Sequence, residues 1–185
     1  LNHGGFKMRK LTLWMSLCLF VLVGSLSAKN ATAAQFLYMI NKILPEKKNV
    51  TIFMSPDVLD KEKPKLERAA ATFGMKVKIF LVENARSLGE GFKQVGDDNV
   101  LVVYENSVTS QKSSKLFILK KCKERNIPVV TPMASYSESG AFLGIIVDEK
   151  FKMKDLLVNV QNYAEYAPKF TEEFNMAVGV TQVIK

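Results

Sequence analysis

The chain has 185 residues and a formal net charge of +8, from 26 lysines and arginines against 18 acids. Its single histidine, His3, lies ahead of a leader-like segment, which excludes histidine-dependent triads and histidine-ligated metal sites from the remainder. Cys122 is the only cysteine beyond residue 33, so an internal disulfide is excluded there as well.

Residues 7–33 start basic (Lys7, Arg9, Lys10), continue as an apolar run over 11–24 and end in small residues. Ala31-Thr32-Ala33 fits the A-x-A cleavage pattern. The apolar run is shorter than the roughly 20 residues that a membrane-spanning helix needs. The expectation is therefore a cleaved secretory leader starting at Met8, a periplasmic protein beginning near Ala34, and a single domain over 34–185. Leu17 stands before Cys18, where a lipoprotein site would want a small residue, so no lipid anchor is expected. The leader removes four bases and no acid, leaving 22 bases against 18 acids. No basic stretch is interleaved with aromatic residues, so no nucleic-acid partner is expected. The lysines around 115–125 read as the solvated face of a helix.

Within the domain, 32–44 reads as a helix, because Phe36, Ile40, Ile43 and Leu44 recur at helical spacing before Pro45. Residues 49–54 form a first strand. A helix over about 60–73 follows, with Pro64 acceptable only in its first turn and Gly74 as its C-cap. Residues 76–82 are a second strand, 85–95 a weaker helix carrying Gly89 and Gly91, and 99–105 a third strand. A long helix over 109–125, with Ser110 as a possible cap, holds Cys122 as a buried thiol. Residues 127–131 and 142–147 are a fourth and a fifth strand. The tail offers a further candidate strand in 151–160, then one or two short helices broken at Pro168.

Strands that are continuous apolar runs alternating with helices belong to a parallel sheet covered on both faces. The expected fold is an α/β three-layer sandwich with a mainly parallel five-stranded sheet, Rossmann-like. In such sheets ligands bind beyond the carboxyl ends of the strands. That rule selects Ser55, Pro56 and Asp57 after the first strand, and Glu105, Asn106, Ser107 and Thr109 after the third. After the fourth come Thr131, Ser135, Tyr136, Ser137, Glu138 and Ser139. Singly, such residues are ordinary caps and turns; the cluster over 131–140 is denser than one cap requires. The proposed ligand-binding set is Ser55, Asn106, Thr131, Ser135 and Glu138. Hydroxyl and amide groups both donate and accept, which suits a small polar ligand such as a zwitterion. There is no P-loop and no G-x-G-x-x-G, Glu105 and Glu138 have no fixed spacing, and neither catalysis nor a cofactor is expected.

The stretches "SPDVLDKEKPKLERAAATFGMKVKIFLVEN" and "DNVLVVYENSVTSQKSSKLFILKKCKERNIPVVTPMASYSESGAF" carry a helix ending Ala70 to Gly74, a strand leaving through 103–109, Ile127-Pro128-Val129, and Gly140-Ala141. Over about 49–148 this resembles ABC-transporter substrate-binding proteins of the type related to tryptophan-binding lipoproteins. That family has two lobes, and this chain has room for one. The resemblance implies a lobe of the periplasmic-binding-protein fold, a small polar ligand held in the loop over 131–140, and an inner-membrane transporter as partner. A second resemblance rests on "AAQFLYMINKILPEKKNVTIFM" and the tail "LLVNVQNYAEYAPKFTEEF", which look like YfiR-like periplasmic domains. It implies regulation of an inner-membrane signalling protein by direct contact.

Overall fold

The computed structural model describes residues 31–185. The expected leader lies outside the described residues except for its last three, which belong to the fold. Thr32 is the N-cap of α1 (Ala33–Ile43), its hydroxyl accepting from the Gln35 amide while the Gln35 side chain accepts from the Thr32 amide. This reciprocal pair satisfies two orphan donors of the helix start. Ala31 and Ala33 are buried.

From α1 the chain runs through β1 (Asn49–Met54), α2 (Pro56–Phe73), β2 (Lys76–Leu81), α3 (Ala85–Phe92) and β3 (Asn99–Val103). It continues through α4 (Lys112–Glu124), β4 (Val129–Thr131), α5 (Ala134–Glu138), β5 (Leu143–Val147) and β6 (Met153–Asn159), then a 3-10 turn (Ala164–Lys169), α6 (Glu172–Val178) and β7 (Gln182–Ile184). The seven strands form one sheet in the order β2-β1-β3-β4-β5-β6-β7. β1 to β5 are mutually parallel, β6 is antiparallel to β5, and β7 is parallel to β6.

The sheet separates two apolar cores. Val50, Ile52, Met54, Val100, Val102 and Tyr104 face α1, α2 and α6. Their neighbours Phe53, Leu101, Val103 and Val129 face α3, α4 and α5. This is the period-two consequence of strands buried on both sides. Cys122 is buried in the second, where desolvation pushes its thiol well above the usual range. Among the described residues no helix is long and apolar enough to cross a membrane.

The α/β sandwich is as expected, with corrections in detail. The sheet has seven strands rather than five: 151–160 supplies the antiparallel β6, and β7 had no assignment. α2 begins at Pro56 instead of 60, which puts Pro64 inside it. Pro64 is exposed, so the carbonyl it cannot bond has access to water. α4 begins at Lys112, not 109, with Gln111 rather than Ser110 at its N-cap, because the preceding residues are held in a turn by Asn106. The run over 131–140 is not an open loop: it contains α5, whose Tyr136 and Ser137 are buried. Gly140 then reverses the chain at φ +112°, where an added Cβ would lie 2.4 Å from Asn162 Nδ2.

Candidate functional site

The carboxyl ends of β1 to β4 lie side by side. Met54 is level with Leu81 and Phe53 with Val103, and Val102 is level with Val130. The Tyr104 amide donates to the Phe53 carbonyl at 2.9 Å and the Val82 amide to the Met54 carbonyl at 2.8 Å, extending the ladder to the rim. Ser55, Asn106 and Thr131 leave three neighbouring strands at this edge, so the sheet brings them together. Adjacent strands are about 4.8 Å apart, which places the three within the span of one small molecule.

Asn106 organises the edge. Its Oδ1 accepts from the amides of Val108 and Thr109, both at 2.8 Å. Its Nδ2 donates to the Val82 carbonyl at 3.4 Å, so the side chain passes over the end of β1 to reach the end of β2. The turn is tightened by Thr109, whose hydroxyl donates to the Tyr104 carbonyl at 2.7 Å and accepts from the Asn106 amide at 2.9 Å. Tyr136 locks the turn to α5 by donating to the Thr109 carbonyl at 2.6 Å.

Ser55 is half-buried at the N-cap of α2 and makes no side-chain capping bond. With Pro56 at the first helical position, the start of this 18-residue helix turns its positive end and an uncommitted hydroxyl to the edge. Asp57 in the first turn offsets part of that field. Thr131 is fully buried, and its hydroxyl accepts from the Met133 amide at 3.2 Å. Ser135 and Glu138 are exposed on α5. The Ser135 carbonyl accepts from Lys115 Nζ at 3.2 Å, which ties this part of α5 to the first turn of α4. The structure thus unites Ser55, Asn106 and Thr131 at the rim and sets Ser135 and Glu138 beside it on a neighbouring helix. Glu105, half-buried, joins the rim group.

Sequence reasoning passed over the end of β2. Glu83 and Asn84 stand at the same edge, and Asn84 caps α3 by accepting from the Ser87 amide at 2.9 Å. The signal was the strand-end rule itself, applied to three strands but not to the second. It also missed a buried polar group below the rim. The Glu62 carboxylate accepts from the Ala33 amide at 2.9 Å and from Lys65 at 2.9 Å. Nearby, the Tyr104 hydroxyl is buried without a partner, its ring 5.2 Å from that of Phe36. Burial, with the Glu62 charge added, pushes that hydroxyl far above its ordinary range. A single Glu in a charged helix gives no sequence signal for such a role.

A groove of about 660 Å³ lies elsewhere, between α3 and α4, and none of the residues proposed from the sequence lines it. Among the described residues no group of three or more His, Cys, Asp or Glu side chains could hold a metal ion.

No family model matches the chain, and no curated protein matches it in sequence. Solved structures do share its fold. A conserved domain protein from Vibrio cholerae superposes with a TM-score of 0.65 at 16% identity, over 83% of this chain and 60% of that one. An ABC domain in complex with L-Trp from Streptococcus pneumoniae gives 0.62 at 14% identity, over 83% and 62%. A substrate-binding protein with adhesive properties from Clostridium difficile, in a ligand-free, open structure, gives 0.56 at 18% identity, over 84% and 60%. The chain therefore has the fold found in substrate-binding proteins, and it spans about three fifths of the length of these three chains.

Proposed function

We propose that the domain, 34–185 after removal of the leader, is a periplasmic solute-binding lobe that takes a small zwitterionic or polar ligand at its carboxyl edge and serves an ABC-type importer in the inner membrane. The observation that supports this is the edge itself. A helix start with no side-chain cap and the Ser55 hydroxyl lie beyond the end of β1, and Glu105, half-buried, lies two residues beyond the end of the neighbouring β3. A ligand carboxylate would meet the Ser55 hydroxyl and the α2 amides; a ligand ammonium would meet Glu105. The second N–H of Asn106 is the remaining donor, since its other polar positions are engaged within the fold. Thr131 supports the floor through its backbone turn, and Ser135 and Glu138 form the adjoining rim.

The test is a thermal-shift screen of amino acids and other small polar metabolites. A ligand at 100 times its dissociation constant adds about 2.7 kcal/mol, which is about 5–11 °C for a domain of this size. Ser55→Ala and Glu105→Gln should then weaken binding without lowering the unliganded melting temperature. A screen with no stabiliser, or a hit indifferent to both changes, defeats the reading.

A second reading is regulation of a membrane signalling protein by contact, as the YfiR-like resemblance implies. It predicts a blank ligand screen together with co-purification of an inner-membrane sensor or cyclase.

A further inference from the structure

We infer that the outer face of α4, with its groove against α3, is a docking surface for an anionic lipid bilayer. Lys112, Leu116, Lys120 and Lys123 follow one another at spacings of four, four and three, which places them on one stripe of the helix, and all four are exposed. Leu116 is 55% exposed in the middle of that stripe, with Phe117 38% exposed beside it. Next to them Arg86, Lys93, Lys121 and Arg125 rim the groove over Phe92 and Phe117, whose rings meet edge to face at 5.6 Å.

The charge of the domain is concentrated here. Arg86, Lys93, the five lysines of α4 and Arg125, set against Glu90, Asp97 and Glu124, leave five positive charges, whereas all of 31–185, with 22 bases and 18 acids, leaves four. The remainder of the domain is therefore slightly acidic. The three acids on the face are already occupied, Glu90 by Arg86, Asp97 by Arg125 and Glu124 by Lys121. What is left to meet a partner is cationic.

The chemistry favours lipid over an acidic protein. Most of these cations are lysines, which are mobile point charges without the rigid fork that fits one carboxylate. An apolar tip ringed by lysines is the pattern of an interfacial helix: the tip enters the boundary of the acyl chains while the lysine stems snorkel to the headgroups. The proposal goes beyond ligand binding and does not rest on it, because the residues of the carboxyl edge do not line this face.

The test is sedimentation of residues 31–185, once circular dichroism and a cooperative melt show this form to be folded, with vesicles of phosphatidylcholine alone or of phosphatidylcholine with one third phosphatidylglycerol, at low and high salt. Binding to the second vesicle only, lost at high salt, is expected. Each lysine near an anionic surface contributes roughly a factor of five, so Lys112→Glu/Lys120→Glu/Lys123→Glu, which loses three attractions and adds three repulsions, should weaken binding by at least about 100-fold, and Leu116→Ser should weaken it further. The control triple Lys63→Glu/Lys150→Glu/Lys152→Glu, also at exposed positions, makes the same change in net charge elsewhere and should bind nearly as the unmodified domain does. Circular dichroism melts confirm that each variant is folded. Equal loss in the two triples would show that only net charge matters and overturn the proposal. Absence of binding to the phosphatidylglycerol vesicles would overturn it too.

Discussion

Replacing Asn106 by Ala separates the structural work of that side chain from any role toward a ligand. The substitution removes the acceptor for the Val108 and Thr109 amides, both bonded at 2.8 Å, and the weaker 3.4 Å donation to Val82. A typical hydrogen bond contributes about 0.5–1.5 kcal/mol net. The site is half-buried, so water recovers part of the loss, and two good bonds amount to about 2 kcal/mol. In a domain of this size that lowers the melting temperature by roughly 4–8 °C. Asn106→Asp retains the acceptor oxygen and gives up only the long bond, so it should keep most of the stability. The assay is thermal and urea unfolding of the three proteins at pH 7, with ligand affinity measured alongside. If Asn106→Ala melts within 1 °C of the parent, the turn does not depend on these bonds and the reasoning fails.

Gly144→Ala should cost about 1–3 kcal/mol, because its Cβ would lie 2.3 Å from the Ser137 hydroxyl. That hydroxyl is buried without a partner, so Ser137→Ala should be neutral or stabilising and should rescue Gly144→Ala in the double variant; strictly additive unfolding energies would contradict this. Burial raises the hydroxyls of Tyr104, Tyr136 and Tyr163 above the ordinary value of 10.0. Their contribution is therefore complete below about pH 10, where neither state has ionised, and declines above it as the unfolded chain loses its protons first. Urea midpoints should be flat up to about pH 8, start to fall as the unfolded Cys122 thiol ionises around its ordinary value of 9.0, and fall further by pH 11; a midpoint that rises would reverse the sign. A form beginning at Ala34 lacks the Thr32 cap, the buried Ala31 and Ala33 and the Ala33 amide that donates to Glu62, and it should be at least about 1 kcal/mol less stable than one beginning at Ala31. Equal melting temperatures would mean that the cap is idle.

β1, β3, β4 and β5 were readable because each is a dense apolar run, and burial on both faces removes the alternation that would confuse it with a surface strand. β2, an edge strand with Lys76 and Lys78 exposed, was readable instead from its β-branched and aromatic residues. β6 was half readable: Leu156, Leu157 and Val158 are buried while Met153 and Lys154 are exposed, so its pattern changes along its length. β7 has only three residues and carries no periodicity of its own. α2 was started late because Pro64 was taken to mark its first turn, although an exposed proline inside a long helix loses only one bond. At the edge, the strand-end rule located Ser55, Asn106 and Thr131 without any knowledge of contacts. It could not show that the Asn106 oxygen is committed inward, because the type of residue is the same for a cap and for a ligand contact. Nor could it show that α5 turns Tyr136 inward, since five residues hold too little helical period to display a face.

The strand order also governs how the chain can assemble. β1 lies between β2 and β3, so one side of its ladder is paired once β2 is available, at about residue 81, and the other only at about residue 103. From there each strand is added beyond the previous one at a single growing margin, β4, β5, β6 and then β7. A chain interrupted after Thr131 would hold a twisted four-stranded sheet whose last strand, Val129–Thr131, is buried in the finished fold but unpaired on one side, a template for association with other chains. The parallel pairs span long sequence separations and should form slowly, whereas the β5–β6 hairpin is local and should form quickly. The hairpin would then act as a preassembled lid for that margin. Slowing its formation, for example by weakening the turn in which Asp148 accepts from the amides of Lys150 and Lys152, should raise aggregation during refolding more than it lowers the stability of the finished fold.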